Sequence, residues 1–407
     1  MLRIIPPPRD RSEELFDLAA KVFGGGGYFD FLRFCRRSYF AGSSYDWSAS
    51  RVAELAGRLV GHVGVWRYRM RIGRARALAG GLGAVLTHGE HRRRGIAAKV
   101  LPATLEAMRQ AGYHFAALGG IRNFYHRWGF TQAWPSRKLF ADVAQLPADG
   151  LRLTLRQVPL TEALCGTGAV MRIYNRDNAT RTGTAERPLY TRPGGQWLAG
   201  RCTTLRDAAG GVRGYFVTVP GGDDLTVVEA GGLGRGCGVG QLLAAMRTLA
   251  RRRRCRRVVL EGFSQGHPLC AALRRGTCRV EMQHTRSGRA MNAVVSLRGG
   301  LEAMTGELSV RLAGSHLARF KGTLAVEGVG EKVCLRLSGG KVKLAPGAGR
   351  TAHRISAGPD VARMLIGSEP PSVLAAQSGV RFRGAADELA EVLFPHQWPM
   401  RYALDGF

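Results

Sequence analysis

The stretch Gly81-Leu-Gly-Ala-Val-Leu-Thr-His-Gly-Glu-His-Arg-Arg-Arg-Gly-Ile-Ala97 reads as a strand that runs into a basic, glycine-bearing loop and then opens a helix. Leu82–Leu86 supplies the apolar strand, and Ile96–Gln110 carries the apolar spacing of an amphipathic helix. A helix N-terminus offers unpaired N–H groups and the positive end of its dipole, so it attracts an anion such as phosphate. Gly95 and Ala97 keep the loop small enough for the backbone to approach that anion, and Arg92, Arg93 and Arg94 add positive charge beside it. The spacing R-x-x-G-x-A recurs by chance when taken alone. Its position between a strand and a helix gives it meaning.

Downstream, His114–Gly119 reads as a buried strand, and Asn123-Phe-Tyr-His-Arg-Trp-Gly-Phe130 follows it. Upstream, a helix is expected from Ser12 to Val22, ended by the glycine run Gly24–Gly27. Tyr28–Phe40 is aromatic-rich at helical spacing, which predicts a helix facing the core. Arg51–Leu55, Arg58–Val65 and Arg67–Ile72 read as strands of a meander.

The pattern then repeats. A shift of 143 positions lays Leu82–Leu86 on Leu225–Glu229, Gly95 on Gly238, Ala97 on Gly240, and His114–Gly120 on Arg257–Phe263. Residues 151–289 therefore read as a second copy of the architecture of residues 1–150. From 290 the texture changes. Gly306–Ala313, Gly322–Val326, Val333–Leu337 and Lys341–Leu344 are strand candidates, followed by helices over Pro359–Ile366, Pro371–Gln377 and Ala385–Leu393. That is an α+β unit without an evident catalytic cluster.

Composition narrows the function classes. A chain of 407 residues is too long for one ordinary core. No apolar run approaches the ~20 residues of a membrane-spanning helix, and the N-terminus lacks the apolar centre of a secretory signal, so a cytoplasmic protein with no membrane partner is expected. The eight cysteines contain no C-x-x-C pair, and His88 with His91 lacks a third ligand, so no metal is expected. The formal charge of +30 invites a nucleic-acid reading. Apart from Arg251–Arg254 and Arg256–Arg257, however, the arginines are spread through every domain, and there is no aromatic-interleaved basic module of the kind single-strand binders use, which argues against nucleic acid as a partner.

The loop and the tyrosine segment together resemble the GNAT acetyltransferase superfamily. Its phosphate loop has the form Q/R-x-x-G-x-G/A, matched by Arg92, Gly95 and Ala97, and its core closes on F-Y-x-x-x-G-F, similar to 124–130. The resemblance implies acetyl-CoA as co-substrate and direct transfer of its acetyl group to a primary amine on a small molecule or peptide. It implies cofactor contacts from Val85, Leu86 and Thr87 on the strand and from Arg92, Arg93, Arg94, Gly95, Ile96 and Ala97 on the loop. Tyr125 would protonate the departing thiolate.

More narrowly, the chain resembles the enhanced intracellular survival (Eis) family. The likeness is carried by H-R-R-R-G at 91–95, the second copy, and a terminal α+β unit ending in phenylalanine. It implies an α/β (α+β) fold of two tandem GNAT domains with mixed central sheets plus a sterol-carrier-protein-like domain. Residues 1–150 would be catalytic, 151–289 degenerate, and 290–407 would supply the Phe407 carboxylate as base. A homo-oligomer, a hexamer in the family, is implied as well. Arg235-Gly-Cys-Gly-Val-Gly240 fits the loop pattern, but Pro268 stands where the first copy has Tyr125, which favours a structural copy. The rival readings are a lipid carrier, resting on the last unit alone, and a basic nucleic-acid-associated regulator, resting on charge alone.

Overall fold

The computed structural model describes residues 1–41, 44–147, 150–160, 168–187, 200–285, 288–347 and 351–406. These form three mixed sheets flanked by helices, as expected of an α/β (α+β) chain built from two GNAT folds and an added α+β unit. In chain order the strands are β1 (Leu2–Ile5), β2 (Arg51–Leu55), β3 (Arg58–Ile72), β4 (Ala75–Thr87), β5 (Phe115–Gly120), β6 (Thr131–Gln132) and β7 (Ser136–Asp142). The middle of the chain gives β8 (Thr154–Pro159), β9 (Arg201–Arg206), β10 (Val212–Val219), β11 (Asp224–Gly231), β12 (Arg257–Glu261), β13 (Arg279–Gln283) and β14 (Arg289–Val294). The last part gives β15 (Gly322–Gly328), β16 (Glu331–Ser338), β17 (Lys341–Leu344), β18 (His353–Ser356) and β19 (Arg381–Arg383).

The first sheet runs β1-β2-β3-β4-β5-β14-β6 and the second β13-β7-β12-β11-β10-β9-β8. Each contains one parallel pair, β4 with β5 and β11 with β12. Each also receives a strand from the other half of the chain. β14 lies antiparallel beside β5, and β7 lies antiparallel beside β12. On β7, Leu139 and Ala141 point into the second core, while on β14 Met291 and Ala293 point into the first. The second sheet is thus completed by β7, from within residues 1–150, and the first by β14, which begins where the expected second copy ends, so the two sheets are tied together by the chain.

Four of the helices bear on the site. They are α1 (Ser12–Phe23), α2 (Tyr28–Phe34), α3 (Ile96–Gln110) and α4 (Ala169–Asp177). Helix α3 covers one face of the first sheet, burying Ile96, Val100, Leu101, Ala107 and Met108 at three- and four-residue spacing. Next come α5 (Gly238–Arg252), the counterpart of α3 in the second copy, and α6 (Pro268–Leu273). The chain closes with α7 (Leu297–Ala313), α8 (Val361–Leu365), α9 (Pro371–Gln377) and α10 (Ala386–Leu393), which accompany the third sheet, β17-β16-β15-β18-β19.

Two sequence expectations change here. Arg58–Ile72 is one fifteen-residue strand rather than two. Gly306–Ala313 is the second half of α7, not a strand. Leu308, Val310 and Leu312 alternate over that short window, but the buried Leu297, Leu301, Met304, Leu308 and Leu312 recur every three or four residues along the whole element. Through this face α7 joins the first and third sheets into one hydrophobic core. None of the described helices is long and apolar enough to cross a membrane.

Candidate active site

The parallel pairing of β4 with β5 runs from Ala79–Phe115 to Leu82–Leu118 and stops. Beyond that point the strands part, and a cavity of about 1150 Å³ lies between Gly83–Thr87 on one side and Gly119 and Ile121 on the other.

The parting is built into β4. Its register with β3 slips between His62 and Gly64, so that Ala84 and Val85 fall between paired positions, and Ala84 takes a φ of 42°. Non-glycine residues adopt positive φ only when their surroundings demand it. Here both backbone groups of Ala84 are held by side chains. Its N–H donates to the Tyr39 hydroxyl at 3.0 Å, and its carbonyl accepts from His62 Nδ1 at 2.9 Å. Burial lowers the His62 pKa to about 4, so the ring is neutral. With Nδ1 donating to a carbonyl, Nε2 accepts from the Tyr45 hydroxyl at 2.8 Å. None of these three side chains was singled out in the sequence, because the signal is a bulge, and a bulge is a pairing property.

At one end of the cavity, Gly95 precedes α3 with a φ of 73°, a conformation that L side chains rarely adopt. A Cβ there would meet nothing within 4 Å, so the backbone of the loop faces open space. Arg92, Arg93, Gly95, Ile96 and Ala97 line the cavity, as do Val85, Leu86 and Thr87. Arg94 is exposed and is not among the lining residues. His88, Glu90 and His91 bring ligand atoms within 4.8 Å of one another, so the third donor missing from the sequence reading exists, on a glutamate whose side chain is 83% exposed.

Tyr125 also lines the cavity, from the short turn 125–128 that Gly129 ends at a φ of 78°. Its ring meets Phe124 and Phe130 edge-on at 4.9 and 6.0 Å. Burial pushes its phenol up to about 12, so the hydroxyl keeps its proton near neutral pH and can donate.

The chain's end reaches the same place. Phe407 lies outside the described residues, but Ala403, Leu404 and Gly406 line the cavity. The tail arrives by crossing the second copy. The Met400 N–H donates to the Thr182 carbonyl at 3.0 Å, and Tyr402 packs edge-on against Phe263 and Tyr174. Asp405, only 1% exposed, accepts from Arg187 Nε at 2.8 Å and from the Tyr174 hydroxyl at 2.7 Å. Arg187 in turn binds both oxygens of buried Glu229 on β11, at 2.8 and 2.6 Å, and Tyr215 donates to the same carboxylate. A buried cation thus holds two buried acids, and every member of the group has a partner.

The remaining wall is apolar. Phe23, Phe31, Phe34 and Tyr39 come from the α1–α2 region, and Phe124 and Trp128 from the tyrosine turn. The spacing of Tyr28–Phe40 predicts a core-facing helix, and Cys35 and Phe40 are buried in the core, with Phe31, Leu32 and Tyr39 packed against it. Helix α2 nevertheless ends at Phe34, the chain continues as a wider turn over Cys35–Tyr39, and Phe31, Phe34 and Tyr39 also line the cavity.

Residues 3–133 match the family profile described as the acetyltransferase (GNAT) domain. No curated protein gave a match. Among solved structures, the chain is similar to a GCN5-related N-acetyltransferase from Anabaena variabilis, at 16% identity and a TM-score of 0.77, covering 100% of both chains. It is similar to an Enterococcus faecalis protein described as a probable N-acyltransferase, at 15% identity and a TM-score of 0.76, again covering 100% of both. Eis1 from Mycobacterium abscessus matches at 15% identity and a TM-score of 0.69, over 100% of both chains. The first copy thus carries the acetyltransferase (GNAT) domain match, and the three-sheet fold around it is one shared with these structures from end to end.

Proposed function

We propose that the first copy is an acetyl-CoA-dependent N-acetyltransferase that moves an acetyl group directly to a primary amine in a ternary complex. The observation that carries this reading is the meeting of an open helix N-terminus, a parted strand pair, a protonated tyrosine and the chain's own tail in one cavity. The residues fit the co-substrate. Arg92, Arg93, Arg94, Gly95, Ile96 and Ala97 would hold its phosphates at the start of α3. Val85, Leu86 and Thr87 would lie along its pantetheine arm, with the bulge fixing which backbone groups face inward.

The acceptor nitrogen forms a bond to the acetyl carbon while the carbon–sulfur bond breaks. The amine loses a proton to the Phe407 carboxylate, and Tyr125 gives its proton to the leaving thiolate. A phenol raised to about 12 is a weaker acid than a thiol near 8.5, so complete transfer is uphill. The hydrogen bond nonetheless stabilises negative charge as it develops. Residues 151–289 serve as a structural second copy. Residues 290–407, read as the sterol-carrier-protein-like unit, deliver the tail, and the chain assembles as a homo-oligomer inside the cell.

Thiol release from acetyl-CoA, followed in the presence of primary amines, tests the reading. Appending one glycine after Phe407 displaces the carboxylate by up to ~3.6 Å while keeping the phenyl ring. The extended protein is expected to bind acetyl-CoA and lose most of its turnover. Full turnover would assign the base to another group.

A further inference from the structure

We propose that the acceptor is a hydrophobic monoamine: a single basic nitrogen carried on an aromatic or alkyl body. This rests on the acetyltransferase reading and adds the chemistry of the second substrate.

Three observations converge. The first is the lining itself, which includes the rings of Phe31, Phe34, Tyr39, Phe124 and Trp128. The second is the rim. Phe23 and Ile121 line the cavity yet remain 48% and 63% exposed, so large apolar side chains that border it stay in water. Exposed apolar side chains bordering a cavity mark a place where an apolar partner can be covered.

The third is charge. Among the described lining residues there is no aspartate or glutamate, and the charged groups are Arg92, Arg93 and Arg127, with His91 beside them. Asp30 and Glu90, next in sequence to lining residues, are exposed and not among the lining residues, and two further acids are engaged by partners of their own. Asp17 binds Lys21 and Tyr28, and Asp405 binds Arg187 and Tyr174. A polycation entering this cavity would meet like charge and lose water without gaining a counter-charge. The proposed mechanism supplies one carboxylate, at the chain's end, which matches one ammonium and no more. The apolar, cationic surroundings also favour the neutral amine. A free alkylamine with a pKa near 10.4 is neutral in about one molecule in 10³ at pH 7, and desolvation beside arginine raises that share.

The test compares 2-phenylethylamine and octylamine with spermidine and kanamycin A as acceptors, following thiol release at saturating acetyl-CoA. In parallel, the thermal shift with acetyl-CoA alone reports whether the co-substrate binds. The expected result is a kcat/KM for the two hydrophobic monoamines at least about tenfold above that for either polycation. Phe23→Asp, at an exposed rim position, is expected to narrow that ratio while leaving the acetyl-CoA shift unchanged. If acetyl-CoA binds and spermidine or kanamycin A reacts as fast as the monoamines, the inference is overturned while the transferase reading stands. If acetyl-CoA gives no shift and no amine releases thiol, the transferase reading itself falls.

Discussion

The two copies share a strand order, a parallel strand pair and a loop pattern, yet among the described residues their parallel strands part onto different surroundings. In the first, β4 and β5 part after Leu82–Leu118 onto a cavity of about 1150 Å³. In the second, β11 and β12 part after Val227–Leu260, and the chain's own tail packs against β11 and against Phe263 and Ser264 just beyond β12. Met400 and Tyr402 belong to the second core, and Glu229 turns inward to meet Arg187, which also binds Asp405 of the tail.

The loops differ in the same sense. The Gly238 N–H donates to the Gly232 carbonyl at 2.7 Å, and the Cys237 sulfur packs beside Gly214 and Gly232. The second loop therefore folds back on its own sheet. A further cavity, of about 410 Å³, lies at the opposite end of that sheet, around Val219, Asp224 and Arg253. The comparison shows one scaffold used in two ways. The first copy opens its parted strands onto a cavity, and the second uses the same parting as a channel for the tail that reaches that cavity.

The strongest test of this division compares Tyr125→Phe with Pro268→Ala, its counterpart in the second copy. Tyr125→Phe is expected to lower kcat by about 10²–10⁴-fold with little change in acetyl-CoA affinity, because the hydroxyl acts only as the thiolate develops. Pro268→Ala is expected to leave kcat as it is. Steady-state kinetics with a fixed amine reads both, and normal turnover in Tyr125→Phe would make that ring mere packing.

The tail's route is tested next. Arg187→Met strands Glu229 and Asp405 in a buried site, which is expected to destabilise the fold by about 3–5 kcal/mol in urea unfolding. At a temperature where the variant stays folded, kcat is expected to fall while the KM for acetyl-CoA holds. Adding Glu229→Gln and Asp405→Asn in the same chain removes the orphaned charges and is expected to restore stability ahead of activity. A fall in stability with kcat intact would confine the cluster to holding the second copy together.

The smallest effect separates the loops. Saturating acetyl-CoA at 100 times its Kd adds about 2.7 kcal/mol to stability. Ala97→Glu puts a carboxylate in the cavity without the left-handed backbone of Gly95, and is expected to abolish the shift. Gly240→Glu, in open space at the second loop, is expected to preserve it, with calorimetry giving one co-substrate per chain. Two per chain would show that the second loop still binds.

What the sequence determined by itself is the chemistry that local spacing can carry. A strand, three arginines, Gly95 and an amphipathic helix lie within about thirty residues, and the anion-binding end of that helix follows from backbone geometry alone. The 143-residue echo made the doubling legible for the same reason, since each unit repeats its own local pattern. The tertiary structure alone decided what depends on distant partners. The exchange of β7 and β14 is a choice between chemically similar neighbours, and alternation cannot say which sheet a strand joins. Phe31 and Tyr39 fit a core or a cavity equally well, because apolar periodicity reports which side of a helix is buried and not what lies against it. Arg187, Glu229 and Asp405 are 42 and 218 positions from partner to partner, so their pairing is a fact of packing. No local pattern announces that a buried acid has found its cation.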